Sequence, residues 1–156
     1  MSQPKRQEGF TLIELLVVLV IFAILVIIVM ISVNRFLKKG NDVRIQNDVG
    51  QMRLLAEQAY DANGASYIGW KSHPLVVSDV QVLLADINEV HHEPPNSTEK
   101  VVFLDSQRKN YCISVELVIK DDGAYYCVDA SGVYRVVSAP CEAPVSGDIP
   151  LACPGN

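Results

Sequence analysis

The sequence predicts an α+β fold in which one long N-terminal helix packs against a small antiparallel β-sheet. Three observations support this prediction. An uninterrupted apolar run extends from Leu15 to Val33, and apolar residues then recur at helical spacing between Ile45 and Ala59. The segment 101–137 contains short runs of β-branched and aromatic residues separated by turn residues. We therefore expect a helix whose first half crosses a membrane and whose second half is amphipathic and covered by the sheet.

The apolar run from Leu15 to Val33 has the length of a membrane span. Its nineteen residues include no charged residue, proline or glycine. As a helix they would measure about 28 Å, close to the thickness of a bilayer core. A secretory signal peptide would end in a small-residue cleavage site, and the segment Ser32–Phe36 contains none. We therefore expect the run to remain in the protein.

The second half of the helix is predicted from apolar residues at spacings of four and three. Asn63-Gly64 supplies a stop signal, so the helix is expected to extend from Phe10 to about Ala62. Glycine disfavours helix interiors, and Gly40-Asn41-Asp42 is therefore expected to bend or locally melt the helix. The apolar stripe consists of Ile45, Val49, Met52, Ala56 and Ala59.

A second, short helix is predicted from Asp79 to about Val90. The segment Ser78–Gln81 has the pattern of a capping box, and the valines on either side of it are placed to form a hydrophobic staple. His91 and His92 follow the helix and are expected to lie in a loop. Adjacent residues point apart and no third ligand is evident, so we expect solvated histidines rather than a metal site.

Four β-strands are predicted in the last third of the chain. The segments 120–123 and 130–132 have the composition of turns between them. The strands should therefore form a meander that lies across the amphipathic half of the long helix. They are Val101–Leu104, Tyr111–Ile119, Tyr125–Asp129 and Val133–Val137.

The charge of the chain is unevenly placed and argues against nucleic acid as a partner. The net charge is −5. Residues 41–156 alone carry eight basic and sixteen acidic side chains, which gives −8. An acidic folded part repels phosphate backbones.

The four cysteines, Cys112, Cys127, Cys141 and Cys153, are confined to one end of the chain. An even number in this arrangement indicates disulfides in a compartment outside the cytosol. No C-x-x-C pair is present, so a zinc site is not favoured.

Metal and enzyme sites have little support elsewhere in the sequence. Asp121, Asp122 and Asp129 could in principle bind calcium, but their spacing is better explained by turn chemistry. No G-x-S-x-G, P-loop or H-E-x-x-H motif is present. We therefore expect no cofactor, no metal and no enzymatic activity. An enzyme or receptor ectodomain that merely uses this anchor is the disfavoured alternative.

Glu14 is the unusual residue of the apolar segment. A carboxylate at hydrocarbon depth is costly, and such residues usually mark a function. Glu14 also lies close to the helix start, where it could reach the membrane interface or interact with the positive end of the helix dipole. Position alone leaves both interpretations open.

The residues around Glu14 resemble a known processing site. The segment Gly9-Phe10-Thr11-Leu12-Ile13-Glu14-Leu15-Leu16-Val17-Val18 resembles the class III leader and cleavage site of type IV prepilins and type II secretion pseudopilins. The resemblance implies cleavage between Gly9 and Phe10, N-methylation of Phe10, and a role in assembly for Glu14. It also implies a pilin-like fold with a half-exposed helix.

The same resemblance implies partners and a location. The partners are a prepilin peptidase, an inner-membrane assembly platform with its ATPase, further copies of the chain and related pilin subunits. The precursor would cross the inner membrane once with its N-terminus inside, and the mature subunit would become part of an extracellular filament. The new amine of Phe10 is cationic near neutral pH and could pair with Glu14 of a neighbouring subunit.

The predicted organisation has four parts. Residues 1–9 form the cleaved leader, 10–34 the transmembrane and polymerisation helix, and 35–62 its amphipathic continuation. Residues 63–156 form the globular head, with the short helix 79–90, the meander 101–137 and a disulfide-tied tail 138–156.

The disulfide pairing has arguments on both sides. The segments Tyr111-Cys112 and Tyr125–Gly132 resemble a C-terminal strand pair of some bacterial pilins, which favours Cys112–Cys127 and leaves Cys141–Cys153. If residues 120–123 form a four-residue loop, however, Cys127 faces Glu116 and lies about 13 Å from Cys112 along the strand. A disulfide needs Cα atoms within about 7 Å.

Two functions share this N-terminus. The leading prediction is a structural subunit of a type IV pilus-like filament, and the alternative is a pseudopilin of a type II secretion system. A disulfide-tied tail favours a pilin, because pilins often tie down their exposed surface in this way.

Overall fold

The computed structural model describes residues 10–95, 97–105, 107–119, 123–142 and 151–155. These residues form two units, one up to Leu37 and the other from Lys38 onward. The predicted leader, including Gly9, lies outside the described residues. The elements are α1 (Leu12–Ala62), a short 3-10 helix (Trp70–Ser72), α2 (Val77–His91), β1 (Val101–Leu104), β2 (Cys112–Glu116), β3 (Tyr125–Asp129) and β4 (Tyr134–Val137).

The first unit is the beginning of α1. By length and composition, α1 contains a stretch apolar enough to cross a membrane. Every large apolar side chain that the structure describes between Phe10 and Leu37 is exposed, with exposed fractions from 39% to 82%. Among the described residues of this unit, none covers this surface.

The second unit begins with the amphipathic part of α1. All five residues of the predicted stripe, from Ile45 to Ala59, are fully buried. The expected local melting at Gly40–Asp42 is wrong, because these residues are helical. The carboxylate of Asp42 accepts hydrogen bonds from the backbone N–H groups of Val118, at 2.7 Å, and of Ile119. These bonds hold the helix against the residues that follow β2, next to the glycine that disfavours helix.

The four strands form one antiparallel sheet in the order β1-β2-β3-β4. Val101, Ile113, Val115 and Val128 share the core with the buried stripe of α1. The α+β prediction, with a long helix and a small antiparallel sheet, is therefore confirmed. All four predicted strands are present, although β2 ends at Glu116, earlier than predicted.

Helix α2 begins and ends differently from the prediction. It starts at Val77 after Val76, which makes no side-chain cap, so the predicted capping box is wrong. Its last residue, His91, is half-buried, and its Nε2 lies 3.0 Å from the carbonyl oxygen of Glu116. The prediction of a solvated loop is therefore wrong for His91. His92 ends the helix in a left-handed conformation with φ 59°.

The predicted disulfide pairing is wrong. The bonds are Cys112–Cys141 and Cys127–Cys153, so both cysteines of the sheet bond to the tail. The register differs from the assumed one, because Cys127 lies opposite Ser114 instead of Glu116. Cys112 and Cys127 are then diagonal neighbours with sulfurs 3.4 Å apart.

Two hydrogen bonds explain why the tail cysteines reach the sheet. The backbone N–H of Cys141 donates to Ser114 Oγ at 2.9 Å, and that of Cys153 donates to Asp129 Oδ2 at 2.9 Å. Ser114 and Asp129 lie on the same sheet face as the cysteines of β2 and β3. The tail is therefore held to this face by backbone hydrogen bonds as well as by sulfur.

Metal ligands are scarce in the described part of the chain. There, the only group of His, Cys, Asp or Glu side chains close enough to share an ion is Cys112, Cys127 and Cys141, and all three are in disulfides. Asp129 also accepts hydrogen bonds from the backbone and hydroxyl of Ser131, which closes a turn. Asp121 and Asp122 lie outside the described residues.

Candidate functional site

The candidate site is the beginning of α1, where Thr11 and Glu14 form a capping box. The N–H and the hydroxyl of Thr11 donate to Oε2 of Glu14 at 2.9 and 2.8 Å. The N–H of Glu14 points back to the hydroxyl oxygen of Thr11 at 3.4 Å. Each side chain thus satisfies a backbone donor of the other at a helix end that otherwise leaves such donors unpaired.

This capping role of Glu14 adds to the two interpretations left open by the sequence. A carboxylate in the first turn also interacts favourably with the positive end of the helix dipole. The signal was present in the sequence, because Thr11-Leu12-Ile13-Glu14 has the T-x-x-E pattern of a capping box. Any test of Glu14 in assembly must therefore separate its charge from its function as a cap.

The surroundings of Glu14 are apolar and open. A shallow groove along the helix is lined by Phe10, Ile13, Glu14, Val17 and Val18. Phe10 is 82% exposed and Ile13 is 70% exposed. Both hydrogen bonds from Thr11 go to Oε2, and Oε1 receives neither of them. The groove therefore presents a carboxylate oxygen amid apolar side chains.

The chemistry of this site is that of a contact surface. Glu14 is the only ionisable residue between Phe10 and Asn34. In a lipid or protein environment that excludes water, its carboxylate requires a proton, a cation or further hydrogen-bond donors. The exposed apolar side chains on the same helix gain free energy when they leave water. The carboxylate and the apolar side chains therefore both favour burial of this surface against lipid or another protein chain.

The predicted site residues fall into two separate groups. Phe10 and Glu14 line the same groove, as their spacing on a helix requires. The four cysteines belong to the second unit, where they fasten the tail to the sheet. Sequence reasoning missed Thr11 as a cap, Asp42 as an acceptor for the loop after β2, and Ser114 and Asp129 as anchors of the tail.

Comparison with known proteins identifies the N-terminal segment. Residues 4–30 match the family model of the prokaryotic N-terminal methylation motif. The resemblance to class III prepilin leaders is therefore confirmed for this segment, which includes the predicted cleavage site, Phe10 and Glu14. No curated protein and no solved structure matches the chain. The N-terminus therefore carries the motif of prepilin-processed proteins of the type IV pilin or pseudopilin kind, and the apolar stretch of α1 that follows fits a membrane-anchored precursor.

Proposed function

We propose that this chain is a structural subunit of a type IV pilus-like filament. A prepilin peptidase cuts between Gly9 and Phe10 and methylates the new amine. An inner-membrane platform with its ATPase then adds the subunit to a filament built of this chain and related pilins. Before assembly the precursor crosses the inner membrane once with its N-terminus inside, and afterwards the subunit is extracellular.

The observation that carries this proposal is the combination found at the start of α1. A single carboxylate stands five residues after the proposed cut, in a groove whose apolar side chains are exposed. The lipid bilayer satisfies the apolar side chains before assembly, and neighbouring helices satisfy them afterwards. In the filament, the amine of Phe10 on one subunit pairs with Glu14 of the next and neutralises it.

The leader prevents assembly until it is removed. It continues the chain where the amine of Phe10 must be, and it carries the charged residues Lys5, Arg6 and Glu8. Cleavage creates the cation and removes these charges in one step. Gly9→Val should therefore leave an uncut precursor in the membrane, and the N-terminal sequence of the mature wild-type protein should begin at Phe10.

The charge of Glu14 is tested against its capping role with two variants. Glu14→Gln keeps an oxygen that can accept the hydrogen bonds of Thr11, because glutamine also serves in capping boxes, but it removes the charge. Glu14→Ala removes both. We expect both variants to be inserted and cleaved, since the cut precedes the altered residue, and both to be lost from filaments examined by electron microscopy.

The outcomes separate three accounts. If Glu14→Gln builds normal filaments and Glu14→Ala does not, the cap matters and the charge pair is dispensable. If both build normal filaments, Glu14 has no role in assembly. Loss of cleavage in either variant would instead assign Glu14 to recognition by the peptidase.

The alternative is a pseudopilin of a type II secretion system. Its N-terminus would be processed in the same way, so the variants above do not distinguish the two. The disulfide-tied tail supports the pilin. Immunogold labelling decides: surface filaments made mainly of this chain support the pilin, and a chain confined to the periplasm whose loss abolishes protein secretion supports the pseudopilin.

A further inference from the structure

In the second unit, α1 and α2 meet through a group of charged side chains. Arg44 of α1 donates from Nε to Asp86 Oδ2 at 2.7 Å and from Nη2 to Glu89 Oε2 at 2.8 Å, and Nη2 also contacts Asp86 Oδ1. Asp48 lies one turn further along α1, within hydrogen-bonding reach of Asp86. One cation therefore faces three carboxyl groups.

Asp48 is the member of this group that lies away from water. It is only 4% exposed, and its Oδ2 has no hydrogen-bond partner within the described part of the chain. Arg44 is directed to the two carboxylates of α2 instead. Two ionised carboxylates cannot hydrogen-bond to each other, so contact between Asp48 and Asp86 requires a shared proton.

We propose that Asp48 and Asp86 form a pH-operated latch that holds α2 against α1 while they share a proton and weakens when that proton leaves. With the proton bound, Asp48 donates to a carboxylate that Arg44 keeps ionised. Without it, two negative charges face each other at a site with little water, and α2 moves away from α1 to hydrate them. Glu89 is exposed and bonds to Arg44, so it supplies no proton to the pair of Asp48 and Asp86.

The electrostatics agree with this geometry. Burial raises the pKa of Asp48 to about 7, and the hydrogen bond to Asp86 and the charge of Asp86 act in the same direction, against the opposing effect of Arg44. Arg44 lowers the pKa of Asp86. The two partners therefore hold one proton in a pH range where an ordinary aspartate has lost its own.

The sign of the pH dependence follows from linkage. The pKa of Asp48 is raised from the ordinary aspartate value of 3.8 to about 7 in the folded chain. The latch therefore contributes its full stability below about 4 and loses it as the pH rises to about 7. His91 acts in the opposite direction, because burial lowers its pKa and its contribution is lost as the pH falls below about 6.5. Only a difference between variants isolates Asp48.

The experiment compares three forms of the full chain in detergent micelles between pH 5 and 8.5. These are the wild type, Asp48→Asn, and, as a control, Asp79→Asn, which removes an exposed acid from α2. Asparagine can donate to Asp86 at every pH, so Asp48→Asn should remain latched. We expect the ratio of its unfolding constant to that of the wild type to change by up to about tenfold per pH unit below pH 7.

Either of two results overturns the proposal. One is a wild type and an Asp48→Asn variant with parallel pH profiles, and the other is an Asp79→Asn variant that changes the profile as much as Asp48→Asn does. If Asp48→Asn does not fold, the ¹³C resonance of the Asp48 carboxyl carbon in the wild-type chain decides instead. A midpoint near 7 supports the latch, and a midpoint near the ordinary value of about 4 excludes it.

Discussion

The two units of this protein differ in whether their apolar side chains are buried within the unit itself. Up to Leu37, each large apolar side chain that the structure describes is exposed, while the stripe from Ile45 to Ala59 on the same helix is fully buried. The change follows the sequence pattern, which is apolar on all sides in the first unit and two-faced in the second. One unit therefore needs lipid or another chain, and the other is satisfied by its own sheet and by α2.

This difference predicts which property a substitution changes. A change in the first unit should alter insertion or assembly and leave the folded head intact. A change in the second unit should alter folding and reach assembly only through it. The difference between the units is therefore best measured by making the same substitution at the same residue type in each of them.

The largest contrast is expected from two isoleucines of α1. Ile45 is fully buried and Ile24 is 53% exposed. Ile45→Ala should lower the free energy of unfolding of the head by about 2–5 kcal/mol, because it removes core contacts and leaves a cavity. Ile24→Ala should leave it unchanged. The free energy of unfolding of both variants is measured by chemical denaturation of the full chain in micelles, with the fluorescence of the buried Trp70 as the signal. Equal losses of stability in the two variants would contradict the distinction between the units.

The disulfides give the next largest effect, and it should be confined to the second unit. Replacing both Cys127 and Cys153 by alanine should cost about 2–4 kcal/mol, because the unfolded chain loses a closed loop. Insertion and cleavage of the N-terminus should be unaffected. The stability is measured by denaturation as above, and processing by N-terminal sequencing.

The pairing itself can be read by peptide mapping without reduction. Cleavage after Lys120, Arg135 and Glu142 places the four cysteines on four different peptides. We expect Cys112 linked to the peptide of Cys141, and Cys127 linked to that of Cys153. A peptide pair that joins Cys112 to Cys127 would contradict the structure and restore the pairing favoured by resemblance.

The smallest effect is expected at Asp42, close to the start of the second unit. Its carboxylate holds the N–H groups of Val118 and Ile119, and a hydrogen bond to a charged group contributes about 1.5–3 kcal/mol. Asp42→Ala should lower the stability of the head by about that amount and increase amide exchange at Val118 and Ile119. Asp61→Ala removes an exposed acid near the C-terminal end of α1 and should do neither. Unchanged exchange in Asp42→Ala would show that the loop does not depend on the helix.

The sequence was most informative where one periodicity dominated. The buried stripe of α1 and the strands β1 and β3 lie where spacing and residue type predicted them. The methylation motif was also recognisable, because Gly9, Phe10 and Glu14 stand at fixed distances before an apolar run. In each case the residues that determine the element or motif lie within the segment itself.

The errors arose where distant residues decide the structure. β2 ends at Glu116: the N–H of Leu117 still donates to the carbonyl oxygen of Ala124, but the N–H groups of Val118 and Ile119 donate to Asp42 on α1. That contact spans 76 positions in the sequence and cannot be inferred from the turn composition of residues 120–123. In the observed register Cys127 lies opposite Ser114, not opposite Glu116 as a four-residue loop would place it. The capping box at Thr11 was local and could have been predicted.

The interleaved order of the two disulfides limits how far the second unit can be stretched. Cys112 bonds to Cys141 and Cys127 bonds to Cys153, so each loop encloses one end of the other. Fully extended, the chain from Cys112 to Cys153 would measure about 140 Å, but the bond to Cys141 shortens that path to about 47 Å. Under a pulling force, these bonds stop the strands and the tail from unravelling at about a third of their contour length, and the longer path through Cys127–Cys153 remains if the shorter one breaks.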